Sequence, residues 1–229
     1  MNQNPLAQNW RNILAQIRSA EHEAERKTGS VALLAVGKTF PAQDIETLYR
    51  AGQRDFGENY VREWQDKAQA LHSPCPDLVW HIIGHVQSNK TRAVAEGAAW
   101  LHTLDRAKTA RRLNEQRPPD LLPLQVCLEI NISGNPAKHG IAPDDMLPLA
   151  HEVATLPNLH LRGLMCVPSA HPPKFVRAQF QEMARLFARL QQDFPQADTL
   201  SMGMSGDLVE AVAHGSTMVR IGSAIFGKR

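Results

Sequence analysis

The chain has 229 residues, 43% of them hydrophobic and 21% charged, a globular composition that excludes disordered and fibrous classes. Lys and Arg number 25 against 23 Asp and Glu, and the formal charge of +2 is too weak a field to mark a nucleic-acid or anionic-membrane partner. The longest apolar run, Val31–Val36, falls far short of the roughly 20 residues of a membrane span, and the polar N-terminus lacks the basic cap and apolar core of a signal peptide.

Residues 6–28 form the first predicted element, a helix. Leu6, Trp10, Ile13, Leu14 and Ile17 keep the spacing of one helical face, with Asn4-Pro5 as start and Gly29 as stop. Val31–Val36 is apolar throughout, as a strand buried on both faces must be. A helix from Pro41 runs through Leu48 and Tyr49 to Gly52. A second strand falls near Arg54–Gly57, with a helix through Val61, Trp64, Ala68 and Leu71 behind it. The third strand, Val79–Val86, precedes helix Asn89–Glu96. The fourth, Ala99–Thr103, precedes a helix through Leu113 with Asp105 as its N-cap. The fifth, Leu124–Ile132, precedes helix 144–155. The sixth, Leu159–Val167, precedes a long amphipathic helix, 174–192, with Phe180, Met183, Phe187 and Leu190 inward. The seventh, Thr199–Met204, precedes helix 207–213, and the eighth is Met218–Phe226.

Eight strands alternating with helices predict an α/β fold, a (β/α)8 TIM barrel with an extra N-terminal helix. An open doubly wound sheet is the alternative; eight units is the count that closes a barrel. With no linker or composition break, residues 1–229 are expected to form one domain. Cys75, Cys127 and Cys166 are odd in number, far apart and without a CxxC, which fits reduced small hydrophobes in a cytoplasmic protein.

Parallel barrels place their chemistry at the C-terminal ends of the strands. Lys38 leaves an almost purely apolar strand there. It is either a solvated loop lysine or an amine kept in an apolar mouth, where desolvation lowers its pKa and supplies the neutral amine of Schiff-base chemistry. The loop Ser201–Asp207 and the turn Arg220-Ile221-Gly222-Ser223 follow the last two strands, the usual phosphate site of this architecture. Arg220 lies within an otherwise apolar or small segment. It is either paired with a carboxylate such as Glu58 or Asp207, or meets an acceptor on a ligand. His81 and His85 are too far apart along a strand to share a metal, and no nucleotide-binding fingerprint is present. The basic residues Lys90, Arg92, Arg106, Lys108, Arg111 and Arg112 read as a solvated face.

The segments LLAVGKTFP, AGQRDFGENYVREW, WHIIGHVQSNKTR, LQVCLEINISGNPAKHG and LSMGMSGDLVEAVAHGSTMVRIGSAIFG stand in order along the chain. Together they resemble the pyridoxal phosphate homeostasis protein family, over about residues 31 to 227. The resemblance implies a fold-type III barrel similar to the N-terminal domain of alanine racemases. It implies pyridoxal 5′-phosphate held as a Schiff base on Lys38. Ser205, Gly222 and Ser223 match the phosphate-binding positions, Arg220 the arginine opposite the pyridine nitrogen, and Asn59 a residue near the ring. Lys138 matches a lysine suspected of holding or passing a second pyridoxal phosphate. Three positions depart from the family pattern: Gly37 for serine, His85 for proline and His139 for serine. Gly37 is expected to loosen the loop that carries Lys38.

The implied function is a cytoplasmic, monomeric carrier in vitamin B6 homeostasis that masks the reactive aldehyde and releases it to apoenzymes. An amino-acid racemase is the alternative. It needs a second base, commonly a tyrosine from another domain or subunit. The chain ends at Arg229 just after the barrel, so no second domain is expected, and the tyrosines are Tyr49 and Tyr60. A class I aldolase acting through Lys38 would need carboxylates or a second lysine beside it.

Overall fold

The computed structural model describes residues 5–169 and 172–227. Helix α1 (Pro5–Glu23) comes first. The chain then alternates through β1 (Ala32–Val36), α2 (Ala42–Ala51), β2 (Asp55–Glu58), α3 (Val61–Leu71), β3 (Val79–Ile82), α4 (Thr91–Gly97), β4 (Trp100–Leu104) and α5 (Ala107–Gln116). The second half holds β5 (Leu124–Glu129), α6 (Met146–Ala154), β6 (Leu159–Met165), α7 (Pro173–Asp193), β7 (Thr199–Ser201), α8 (Leu208–Ala213), β8 (Met218–Ile221) and α9 (Ser223–Phe226). Among the described residues the eight strands close into a parallel barrel in chain order, β1 pairing with both β2 and β8. The predicted closed barrel with an added N-terminal helix is the observed fold, and the open sheet is excluded. No helix among the described residues is long and apolar enough to cross a membrane.

The predicted boundaries err in an instructive direction. The third, fifth, sixth and seventh strands were expected to reach Val86, Ile132, Val167 and Met204, but they stop at Ile82, Glu129, Met165 and Ser201. Val86, in the loop after the third strand, is buried all the same, and Ile130 continues past the fifth only as a single bridge to Ile141. Apolarity reports burial, not strand pairing. The eighth strand ends at Ile221 rather than Phe226. Gly222 turns the chain into α9, which buries Ile225 and stacks Phe226 on Phe40, ring centroids 5.0 Å apart. Helix α1 stops at Glu23 rather than residue 28, since Glu25 takes φ 54°. Asp105 does not cap the fourth-strand helix. That helix starts at Ala107, after Arg106, and the Asp105 carboxylate accepts from Arg106 instead. The inward residues predicted for the long helix, Phe180, Met183, Phe187 and Leu190, are all buried on α7.

Helix α1 is held to the barrel by apolar and polar contacts. Ile13, Ile17 and Ala20 are buried, each isoleucine contributing roughly 1.5–3 kcal/mol and the alanine methyl less. Beside them Glu21 is fully buried. Its carboxylate accepts from Val31 N at 2.7 Å, Gly29 N at 3.0 Å and Arg18 Nη1 at 2.8 Å. One side chain thus ties the end of α1 to the segment entering β1. Burial raises the Glu21 pKa, but the Arg18 and backbone bonds outweigh it, and the net shift is downward. The stabilisation is therefore present above the ordinary carboxylate range and is lost as pH falls through the depressed folded value. Chemical denaturation of Glu21→Ala is expected to show a loss of about 2–4 kcal/mol at neutral pH, because donors are left without an acceptor. The loss should shrink toward pH 3, and a variant as stable as wild type at neutral pH would contradict this role.

Candidate functional site

Side chains alternate along a strand, and β1 shows the consequence at the barrel mouth. Val36 and Lys38 lie two residues apart and both line a cavity of about 490 Å³ at the C-terminal ends of the strands. The same cavity is lined by Asn59 after β2, Ser205 after β7, and Arg220, Gly222 and Ser223 from β8 and its exit. All six residues singled out around one ligand are therefore brought together, from four strands separated by up to 185 positions in sequence (Lys38 to Ser223). Lys138 is not among them. It lines an adjoining cavity of about 260 Å³ with Glu129, and Val167 walls both. Its Nζ donates to Val167 O at 3.2 Å and Pro168 O at 2.9 Å.

Of the two readings open for Lys38, the structure shows the exposed one: the residue lies at the rim of the cavity that it lines. Its backbone is nevertheless firmly held. Gly37 N donates to Gly57 O at 3.1 Å, and Gly37 O accepts from Lys67 Nζ at 2.8 Å. Lys67, buried on α3, also donates to Glu58 Oε1 and Glu63 Oε1, each at 2.7 Å. Glu63 Oε1 in turn accepts from Thr39 N. Both neighbours of Lys38 are thus fixed by one Glu58–Lys67–Glu63 network. Thr39 takes φ 66°, a costly conformation for a β-branched residue and one that only such surroundings sustain. The loosening expected from Gly37 is not found, and the site leaves little room for a larger residue. A Cβ there would meet Glu58 Oε1 and Ile45 Cδ1 at 3.1 Å. Burial pushes the Glu58 carboxyl up to about 7 against the pull of Lys67. The sequence does not show the network; its one signal is a glutamate just past the second predicted strand.

Arg220 is not paired with Glu58 or Asp207. Its Nη1 donates to Ser201 O at 2.7 Å and Ser201 Oγ at 2.9 Å, and its Nη2 donates to Cys166 O at 2.8 Å. Burial pulls its pKa below the ordinary guanidinium value. These bonds employ three of the five guanidinium N–H groups, and the residue also lines the cavity. Ser223 Oγ approaches Ser205 Oγ at 3.4 Å, so the two closing loops meet. A Cβ on Gly222 would fall 3.2 Å from Val36 O, which favours glycine in this wall. Among the described residues, Asn59 Oδ1 is buried without a hydrogen-bond partner. Its backbone is packed so closely against Gly84 that a Cβ there would lie 2.0 Å from Asn59 O. Cys127 and Cys166 are buried, free thiols raised to about 12 by burial, consistent with core positions.

Two of the three departures from the family pattern meet in space. His85 and His139 stack face to face at 4.1 Å with planes 9° apart, and with Asp105 they bring ligand atoms within 4.8 Å of one another. His85 lies beyond the end of β3, not on it as expected. Parallel rings direct their in-plane lone pairs side by side rather than toward one ion. Arg106 already donates to His85 Nε2 at 3.2 Å and Asp105 Oδ1 at 3.1 Å. As arranged, the cluster is a stacked pair closed by a guanidinium.

The family model of the alanine racemase N-terminal domain matches residues 6–229. The chain is 52% identical over 227 residues to the pyridoxal phosphate homeostasis protein of Vibrio cholerae serotype O1, covering 98% of this chain and 96% of that one. The structure of PipY from Synechococcus elongatus with PLP bound is similar at TM-score 0.80 and 36% identity, over 93% of this chain and 100% of PipY. Alanine racemase from Corynebacterium glutamicum is similar at TM-score 0.72 and 16% identity, over 98% of this chain and 61% of the racemase, which shows a shared fold alone. The chain belongs to the alanine racemase N-terminal domain family and, within it, to the pyridoxal phosphate homeostasis proteins.

Proposed function

We propose that this protein binds pyridoxal 5′-phosphate covalently at Lys38 and serves vitamin B6 homeostasis by holding and releasing it. The observation that carries this reading is the convergence of an amine, a guanidinium, an unsatisfied amide oxygen and two Gly/Ser loops on one cavity. The residues fit the group. Lys38 offers the primary amine. Ser205, Gly222 and Ser223 offer a polar cradle in which Gly222 keeps the wall low. Asn59 Oδ1 offers an acceptor that nothing else employs. The name of the Vibrio cholerae relative and the PLP in PipY support the same group.

When bound, pyridoxal phosphate supplies an aldehyde that condenses reversibly with an amine and a ring that can act as an electron sink. Lys38 is the nucleophile, aimed by the clamp on its two neighbours. Ser205 and Ser223 would hold the phosphate through their hydroxyls. Arg220 only donates hydrogen bonds. Facing the ring nitrogen of a bound pyridoxal phosphate, it would leave that atom unprotonated, which would weaken the electron sink and disfavour carbanion chemistry. That favours a carrier without turnover of its own. The disposition of the tyrosines points the same way. Tyr49 donates to Asp77, and Tyr60 lines a neighbouring groove rather than the cavity, so neither is placed as the second base of a racemase. Lys138, walled from Lys38 by the shared Val167, is the candidate for a second pyridoxal phosphate on its way to an apoenzyme. We infer that the protein works as one barrel domain and as a monomer, in a reducing cytoplasm that suits its three free cysteines.

Purified protein mixed with pyridoxal phosphate should develop a visible absorption band, and borohydride should fix the added mass on the peptide that contains Lys38. Lys38→Ala should show neither; labelling of another lysine at the wild-type rate would refute the assignment. Arg220→Ala should weaken binding by about tenfold, a hydrogen bond to a charged group being worth roughly 1.5–3 kcal/mol. An unchanged affinity and spectrum would make Arg220 purely structural. Interconversion of D- and L-amino acids at enzyme-like rates would overturn the carrier reading in favour of the racemase.

A further inference from the structure

The barrel lumen holds a hydrogen-bonded chain that the cavity residues alone do not explain. Arg220 Nη1 meets Ser201 Oγ at 2.9 Å. Ser201 Oγ meets His102 Nδ1 at 3.0 Å, His102 Nε2 meets His81 Nδ1 at 2.9 Å, and His81 Nε2 meets Asp55 Oδ1 at 3.0 Å. Ser201, His102 and His81 are fully buried, while the Asp55 side chain is 38% exposed. His102 lies on β4 and Ser201 on β7, three strands apart in a closed barrel, so their bond crosses the lumen. Asp55 opens β2 and Arg220 lies near the end of β8, so the chain runs from the N-terminal face of the barrel to the cavity at the other.

The direction of every bond follows from the two ends. A guanidinium only donates and a carboxylate only accepts. Arg220 therefore donates to Ser201, whose hydroxyl donates to His102 Nδ1. His102 then carries its proton on Nε2 and donates to His81 Nδ1, and His81 carries its proton on Nε2 and donates to Asp55. This order gives every bond of the chain one donor and one acceptor, Ser201 Oγ accepting one and donating the next, with both imidazoles neutral. Burial holds both histidines below their ordinary pKa, His102 well below, in keeping with neutral rings. The line of aligned dipoles points its acceptor end at a guanidinium whose hydrogen bonds go to neutral oxygens, while Asp207 and Glu129 favour its charge through space without touching it.

We propose that Asp55, His81, His102 and Ser201 are positioning residues for Arg220, a one-way hydrogen-bond wire that fixes the guanidinium from the opposite face of the barrel. What this does for pyridoxal phosphate rests on the binding reading above; the wire itself does not. Its consequence is that a change at Asp55, remote from the cavity, alters how the cofactor's ring is held.

The test has two arms. In the first, nitrogen-15 NMR of the protein without added cofactor should find both His81 and His102 neutral with the proton on Nε2, and the Arg220 side-chain N–H slow to exchange. Asp55→Ala, altered at a partly exposed position, should mix the His81 tautomers and speed Arg220 exchange. Asp55→Asn, which keeps an acceptor oxygen, should restore most of the wild-type pattern. In the second, Asp55→Ala and Ser201→Ala should weaken pyridoxal phosphate binding by about threefold to tenfold, since 1.4 kcal/mol is a factor of ten, and shift the visible band, with circular dichroism unchanged. Protons on Nδ1, or Arg220 exchange indifferent to Asp55, would overturn the wire. Ordered tautomers in a wild-type protein that takes up no pyridoxal phosphate would instead overturn the binding reading and leave the wire standing. Wild-type affinity and spectrum in both variants would show that the wire does not reach the cofactor.

Discussion

A closed parallel barrel offers each strand two environments, lumen and helix layer, and consecutive side chains must alternate between them. The site depends on that constraint. On β1 the alternation carries Val36 and then Lys38 to the barrel mouth. On β2 it sends Asp55 into the lumen toward His81 and turns Glu58 outward to Lys67 on α3. The same short strand therefore serves two ends: one residue feeds the lumen chain behind Arg220, and another anchors the turn of Lys38. Shifting one strand by a residue would exchange the two faces and dismantle both.

The barrel also handles two kinds of buried charge differently. Lys67 is surrounded by acceptors at hydrogen-bond distance, two of them carboxylates, and this pins backbone. Arg220 donates to neutral oxygens alone, and the carboxylates that favour its charge, Asp207 and Glu129, act through space without a hydrogen bond to it. A carboxylate placed against Arg220 would compete for its donors. Keeping anions at a distance leaves the guanidinium able to serve a ligand in the cavity it lines. Glu129, whose carboxyl burial raises to about 7, lines the adjoining cavity with Lys138.

Much of this was legible in the sequence. Eight apolar runs separated by helical patterns specified the barrel, and the positional rule for such barrels directed attention to Lys38, the Ser205 loop and the Arg220–Ser223 turn. The family motifs added Asn59. What escaped were relations between distant residues. Glu58, Glu63 and Lys67 are ordinary helix and strand residues until α3 docks on β1 and β2. Along the sequence His81 pairs only with His85, four residues on, whereas its neighbours in space come from β2 and β4. Strand ends are overextended because buried loop residues such as Val86 carry the same apolar signature as paired ones. The exposure of Lys38 was likewise invisible, since an apolar strand says nothing of where its exit loop turns.

The most direct measurement of the central claim is a crystal structure of the wild-type protein grown with pyridoxal phosphate. The account predicts electron density continuous from Lys38 Nζ into the ligand, its phosphate between Ser205 and the Gly222-Ser223 turn, and its ring nitrogen at Arg220. Ligand density joined to another lysine, or lying outside this cavity with Lys38 unmodified, would contradict it.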